Sequence, residues 1–173
     1  HDALPIFPRR TKLVGAVENV DVEDVIQEEK VIVTVTNKGY IKRTPLTSIR
    51  AQKRGGKGKT GIVTREEDFV SQLFPVSTLT PVLFFSSKGI VYRLKAWKIP
   101  EGSNTSKGKA LGNIFPIKAD AQISSILPLP YDQSTWKDNF LIFVTANGKI
   151  RKNSILDFEN IQANGKMPWS LKK

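Results

Sequence analysis

Basic residues dominate the side chains of this sequence that could do chemistry. Lys and Arg number 27 against 16 acidic residues, which gives a net charge of +11 and a pI near 9.9. The 36 residues between Glu29 and Glu66 contain no acid at all, although ten of them are Lys or Arg. A basic excess of this kind favours a polyanionic partner, either a nucleic acid or an anionic membrane surface.

Within this acid-free stretch, the segment Gln52–Gly58 (QKRGGKG) has the composition of a phosphate-binding loop. Its three cations alternate with glycines that lack side-chain bulk, so backbone N–H groups and long cations can approach phosphates together. The spacing is not that of a P-loop, GxxxxGK[ST]. Because no base-reading geometry is implied, we expect electrostatic and shape-dependent recognition. A loop that is merely flexible is the alternative.

Residues suited to catalysis are scarce. The single His is His1, so a His-based triad and a two-His metal site are excluded, and no Cys is present to act as a thiolate ligand. The acidic clusters Asp21–Glu29 and Glu66–Asp68 have ligands suited to Mg²⁺, but acids at turns ordinarily face solvent. The candidate nucleophiles are Tyr40, Tyr92 and Tyr131, and for Tyr40 and Tyr92, near the start of a strand after a hairpin turn, packing is the default role. We therefore expect no catalytic residue and no metal site.

Three segments repeat one plan, in which an apolar run is followed by a two-residue turn ending in Gly and then by a strand with basic residues. These segments are Val31–Arg43, Val82–Arg93 and Leu141–Lys152. The turn glycines Gly39, Gly89 and Gly148 supply the positive φ of a hairpin turn. Runs that are continuously apolar before the turn are typical of strands covered on both faces.

A second element repeats between the hairpins, since Asp68–Val76 (DFVSQLFPV) parallels Ala121–Leu129 (AQISSILPL). The turn glycines lie 50 and 59 residues apart, near the period of blades with about four short strands. We predict an all-β, β-propeller-like domain of about three blades over residues 9–173, with a sandwich or barrel as the alternative. Residues 1–8 match no repeat, and we expect them to be a non-native or linker tail.

The sequence also bears on location. No apolar run approaches the roughly 20 residues that span a bilayer, and the N-terminus does not have the pattern of a signal peptide. With no Cys to form disulfides, a reducing cytosol is the expected compartment. A membrane partner is not expected.

A family resemblance rests on these residues. The segment QKRGGKG resembles the gyrase A box, the basic signature of the C-terminal domain of the DNA gyrase A subunit, with Lys53 where Arg is usual. The resemblance runs from about Arg9 to Lys166 and includes DVEDVIQEEKVIVTVTNKGYIKRTPL, TREEDFV, TPVLFFSSKGIVYRLKAWKIPE and ILPLP. The related topoisomerase IV A subunit is similar in its blades but lacks an intact box.

This resemblance implies a β-pinwheel of six four-stranded blades that wraps duplex DNA around a basic perimeter. It implies a complex of two A and two B subunits, in the bacterial cytoplasm on the chromosome, that supercoils DNA negatively with ATP and Mg²⁺. The fragment itself would hold neither cofactor. The implied DNA contacts are Gln52, Lys53, Arg54, Gly55, Gly56, Lys57 and Gly58, flanked by Lys42, Arg43, Arg50 and Lys59, and continued on later blades by Lys88, Arg93, Lys95, Lys107, Lys109, Arg151 and Lys152.

Three other functions fit parts of the sequence. One is a topoisomerase IV-type C-terminal DNA-binding domain. Another is a single-strand binder, which would need aromatic residues interleaved with the basic track, whereas the acid-free stretch offers only Tyr40. The third is a non-catalytic, propeller-like module for protein interaction with an incidental basic face.

Overall fold

The computed structural model describes residues 22–48 and 68–167. Within these ranges the strands are β1 (Lys30–Thr36), β2 (Tyr40–Pro45), β3 (Val70–Ser77), β4 (Pro81–Ser86), β5 (Val91–Lys95), β6 (Lys109–Ala110), β7 (Ile123–Pro128), β8 (Phe140–Val144) and β9 (Ile150–Ser154). The helical elements there are short 3₁₀ turns: Val22–Val25, Leu46–Ser48, Ala96–Lys98, Leu111–Asn113, Gln133–Asp138 and Ile155–Phe158.

The three predicted hairpins are confirmed as β1–β2, β4–β5 and β8–β9, each antiparallel. Their turn glycines have φ of 79°, 76° and 73° at Gly39, Gly89 and Gly148. This left-handed conformation costs a residue with a Cβ about 1–2 kcal/mol, which explains why Gly stands at each turn.

The second repeated element supplies the third strand of a sheet. β3 pairs with β1 and β7 pairs with β4, so each lies beside the first strand of the preceding hairpin. In the first sheet, ordered β3-β1-β2-β6, a fourth strand comes from beyond the second hairpin. The second sheet is ordered β5-β4-β7, with a bridge between Val91 and Lys166 beside β5, at the position that β6 takes beside β2.

The all-β, blade-type class is thereby confirmed. Four strands per blade hold for the first sheet, whereas the third sheet consists of β8 and β9 within the described residues. β6 spans two residues and pairs with the neighbouring strand β2 at only two positions, Tyr40 and Ile41. A strand this short has no periodicity for a sequence pattern to reveal.

Two cores join the three sheets. Val82 and Phe84 of β4 pack with Val33, Val35 and Ile41 of the first sheet. On the other face of β4, Leu83 packs in a second core that contains Trp136, Ile155 and Phe158, with Leu141 and Phe143 of the third sheet against it. β4 is therefore covered on both faces, as its continuous apolar run predicts.

The third sheet is covered on one face. Leu141 and Phe143 of β8 face the second core, while Ile142 and Val144, which point the other way, are each 68% exposed. Ile150, opposite Val144 on β9, is 72% exposed. The prediction of a strand covered on both faces is therefore wrong for β8 in this structure.

Gly108 lies in the segment that runs from β5 to β6, the crossover segment of the first sheet, and it offers a test of how closely that segment lies on β2. Its φ is +89°, and an added Cβ would lie 2.4 Å from the Ile41 carbonyl oxygen. We expect Gly108→Ala to lower the free energy of unfolding by more than the about 1–2 kcal/mol of left-handed strain. Urea unfolding would measure it. Gly39→Ala should show the strain alone, because its φ is +79° but its surroundings are open.

Gly112→Ala is the unstrained control for that series, since nothing lies within 4 Å of its added Cβ. Equal unfolding free energies for the Gly108→Ala and Gly112→Ala variants would contradict the observed approach of the crossover segment to Ile41.

Candidate nucleic-acid interface

The predicted box, Gln52–Gly58, lies outside the described residues together with Arg50 and Lys59. The described chain stops at Ser48, just after β2, and resumes at Asp68. The Asp68 carboxylate accepts a hydrogen bond from the Lys38 backbone amide at 3.0 Å, at the first hairpin turn. The described chain thus resumes, at Asp68, beside this turn.

Lys42 is placed inside the protein and not on its perimeter. Its side chain is buried, and its ammonium donates to the carbonyl oxygens of Ser103, Asn104 and Ser106 at 2.7, 2.9 and 2.8 Å. Burial lowers the pKa of this ammonium below its usual value. All three N–H donors have partners, so the predicted contact of Lys42 with a DNA backbone is corrected to an internal role.

Arg43 is also used within the fold. Its Nε donates to the Ile99 carbonyl at 2.8 Å, and its guanidinium lies 3.1 Å from the Glu101 carboxylate and 3.8 Å from that of Glu29. The side chain is only 16% exposed. Arg43 therefore joins β2 to the segment after the second hairpin, which corrects its predicted role as a backbone contact.

Arg93, at the matching position of the second hairpin, repeats this arrangement. It donates to the Glu159 carbonyl at 2.6 Å, and its guanidinium lies 6.0 Å from the centroid of the Trp136 ring. Burial lowers its pKa, and the charges of Glu159 and Glu23 act against that shift. The repeated Arg thus fastens each of the first two hairpins to the segment that follows the next hairpin, a partnership that no local pattern predicts.

Lys95 is paired with an acid from the start of the described chain. Its ammonium binds the Glu23 carboxylate, and both side chains are mostly buried, at 23% and 31% exposed. Two other acids of this segment are also engaged, because Glu28 accepts a hydrogen bond from the Tyr131 hydroxyl and Glu29 lies near Arg43. The ammonium of Lys95, a predicted DNA contact, is thus already bound to a carboxylate.

Exposed cations remain among the predicted contacts. Lys88 and Lys107 are 49% and 42% exposed, and Lys109 and Lys152 also lie on the surface, while Arg151 is partly buried. Lys88 lies 2.8 Å from Asp120, and the Lys152 ammonium lies 3.8 Å from the Phe140 ring centroid. Further exposed lysines, absent from the predicted set, are Lys30, Lys38, Lys98, Lys118, Lys137 and Lys149.

Lys107 belongs to a small cluster at the first hairpin turn. Its ammonium lies 3.8 Å from the Tyr40 ring centroid and 3.9 Å from Asp68 Oδ2. Burial alone would raise the pKa of the Asp68 carboxyl, but hydrogen bonds from Lys38 and Thr36 and the nearby charges lower it below its usual value. The cluster holds Lys107 beside the point where the chain resumes after the box.

Two of the candidate nucleophiles, Tyr92 and Tyr131, make hydrogen bonds within the fold. No group of three or more His, Cys, Asp or Glu there is placed to hold a metal ion. The Tyr131 pKa is raised by its hydrogen bond to Glu28 and by that carboxylate's charge, while Tyr92 is buried with its hydroxyl donating to the Pro116 carbonyl. No helix of the described residues is long and apolar enough to cross a membrane.

Blade-like antiparallel sheets stacked through shared cores, with lysines on their surface, define the class of an all-β propeller-type domain. The sequence matches the family described as DNA gyrase C-terminal domain, beta-propeller, over residues 30–77 and 80–130. The chain belongs to this family.

Relatives and solved structures agree with this assignment. The chain is 49% identical over 160 residues to the DNA gyrase A protein of Rickettsia bellii and 42% identical over 166 residues to that of Staphylococcus aureus strain COL. These alignments cover 92% and 95% of the chain but only 18% of either relative.

Among solved structures, the C-terminal domain of DNA topoisomerase IV superposes with a TM-score of 0.65 at 25% identity, covering 80% of this chain and 41% of that one. A DNA gyrase A C-terminal domain superposes with a TM-score of 0.57 at 23% identity, covering 80% and 43%. The latter likeness shows the fold alone.

Proposed function

We propose that this chain binds duplex DNA and wraps it around a basic surface, as part of a DNA gyrase A protein. The observation that carries the proposal is the match to the DNA gyrase C-terminal domain family across the first two hairpin units. The exposed lysines of those units, among them Lys88, Lys107 and Lys109, give the surface a charge suited to phosphates.

Wrapping requires several such contacts at once. Smooth bending of a 20–30 bp site through 40–90° costs on the order of 1–6 kcal/mol. A single loop of three cations is a small surface for this task, whereas lysines distributed over successive sheets can follow a bent backbone. The box segment Gln52–Gly58 would add its three cations to this track.

In the full assembly, we infer that the wrapped duplex is presented to the rest of a gyrase complex of two A and two B subunits in the bacterial cytoplasm. ATP and Mg²⁺ would be used elsewhere in that complex to drive negative supercoiling. The role of this chain is to bind the duplex and to orient it for the other parts of the complex.

Salt-dependent binding tests the proposal. We expect the logarithm of the affinity for a 40 bp duplex to fall against the logarithm of the salt concentration with a slope of about −3.6 or steeper. Each of the four exposed lysines among the predicted contacts, Lys88, Lys107, Lys109 and Lys152, contributes about 0.9. Fluorescence anisotropy between low and moderate salt would measure the slope. The matched control is a single strand of the same sequence, for which we expect weaker binding. Preference for the single strand would contradict the proposal.

A topoisomerase IV-type domain is the second candidate, favoured by the higher TM-score of that solved structure. The sequence relatives favour gyrase, since matches at 42–49% identity include the DNA gyrase A proteins of Rickettsia and Staphylococcus. Dependence of DNA bending on Gln52–Gly58 would separate the two, because only the gyrase family has an intact box.

A further inference from the structure

The segment between β5 and β6 is folded around one side chain. The Lys42 ammonium is bound by three of its carbonyl oxygens, from Ser103, Asn104 and Ser106. The neighbouring Thr44 hydroxyl donates to the Gly102 carbonyl at 3.1 Å. These bonds join residues 58 to 64 positions apart in the chain, so β2 holds a loop that arrives from beyond the second hairpin.

The loop lies so close to the Lys42 side chain that two of its glycines leave little room for a Cβ. A Cβ added at Gly102 would lie 3.0 Å from Lys42 Cδ and 2.5 Å from the Ser106 hydroxyl. One added at Gly108 would lie 3.1 Å from Lys42 Cβ. Loop and side chain are therefore packed against each other along the whole length of Lys42, from its Cβ to its ammonium.

The same loop carries two exposed lysines, Lys107 and Lys109, while the Lys42 ammonium is bound to its backbone carbonyls. Lys107 immediately follows Ser106, whose carbonyl is bound to Lys42, and Lys109 begins β6, where it pairs with Ile41, the residue before Lys42. The position of both lysines relative to the first hairpin turn therefore depends on how the loop is held.

We propose that Lys42 is a positioning residue for DNA binding, which holds the loop Gly102–Lys109 so that Lys107 and Lys109 are presented together to the phosphate backbone. This inference rests on the proposed function for the part played by DNA. Lys42 itself touches no phosphate, because its ammonium is buried and bound to carbonyl groups of the protein.

The second sheet holds its own crossover segment at the corresponding position. Tyr92 stands where Lys42 stands relative to the hairpin turn, and a Cβ added at Gly165 would lie 2.9 Å from its ring. Gly165, like Gly108, has positive φ and precedes a Lys beside the hairpin's second strand. This position thus packs against a crossover segment in both sheets, and in the first sheet the contact is made through an ammonium.

A double-mutant cycle on the 173-residue chain tests the inference. Lys107→Ala/Lys109→Ala should reduce the magnitude of the salt slope for a 40 bp duplex by about 1.8, from two lost contacts. Lys42→Met should reduce it by up to the same amount, because three carbonyls lose their donor and the loop is released. Adding Lys42→Met to the Lys107→Ala/Lys109→Ala variant should change the slope no further.

An additional reduction of about 0.9 in the combined variant would mean that Lys42 contacts a phosphate itself, and would overturn the inference. Thermal unfolding of every variant checks that the folded fraction is the same. If Lys42→Met does not fold, Lys42→Gln, which keeps two N–H donors, takes its place in the cycle with the same two outcomes.

Hydrogen exchange without DNA separates this inference from the proposed function. In Lys42→Met we expect faster exchange at the amides of Gly102, Ser106 and Leu111, which bond within or beside the loop, and no change at Thr145 and Ile155 near the third hairpin. If wild type fails to bind duplex DNA, the proposed function and the DNA part of the inference fail together. Unchanged loop exchange would overturn the positioning role whatever the DNA result.

Discussion

Replacing Phe84 by Ala is expected to lower the free energy of unfolding by about 3–5 kcal/mol, the usual range for a buried aromatic residue. Phe84 is fully buried in the core shared by the first two sheets. Its ring centroid lies 4.8 Å from that of Phe115, which stacks on Tyr92 at 5.1 Å. Since small domains are stable by only about 5–15 kcal/mol, this loss should remove a large share of the stability.

Urea unfolding followed by tryptophan fluorescence would measure the effect of Phe84→Ala. The matched control is Phe69→Ala, which removes the same side chain from a position that is 60% exposed and should change stability by no more than about 0.5 kcal/mol. Comparable losses for the two variants would contradict a core shared between the first two sheets.

The box substitutions are expected to have the largest effect on DNA binding. Changing Lys53, Arg54 and Lys57 to Ala should reduce the magnitude of the salt slope by about 2.7, because three cations stop neutralising phosphates. Fluorescence anisotropy with a 40 bp duplex would measure this change. The duplex should also remain straight, since the remaining contacts would not offset the cost of bending.

A charge-matched control separates the box from the total charge. Lys30, Lys98 and Lys137 are exposed. Lys30 begins β1, Lys98 ends the 3₁₀ turn after β5, and Lys137 lies in the 3₁₀ turn before β8, so none of the three is in a hairpin turn. Their replacement by Ala removes the same three charges. An equal fall in slope and equal loss of bending in this control would contradict a specific role for the box.

The hairpins could be predicted from the sequence because their determinants are local. An apolar run followed by Gly39, Gly89 or Gly148 fixes both a strand and its turn within a dozen residues. A second repeated element could be predicted from the likeness of Asp68–Val76 to Ala121–Leu129, whereas its pairing with β1 and β4 is seen only in the structure. Neither prediction required knowing which distant segments pair.

Whether an individual Lys or Arg faces solvent or binds a group of the protein could not be predicted, because its partner is far away in the sequence. Lys42 binds carbonyls 61 to 64 residues further on, and Arg93 binds one 66 residues further on. Lys95 pairs with Glu23, 72 residues earlier. A basic residue on a strand looks the same in sequence whether it faces solvent or a carbonyl of the next crossover segment, so the predicted set contained both kinds.

Box-dependent bending of duplex DNA is the central property that we propose for this chain. Energy transfer between dyes at the two ends of a 40 bp duplex tests it most directly, because the duplex is well below the persistence length of about 150 bp and is straight when free. We predict that the ends approach when the wild-type chain is added and stay apart with the variant in which Lys53, Arg54 and Lys57 are Ala. DNA that is bound yet straight with both proteins would contradict wrapping by this chain.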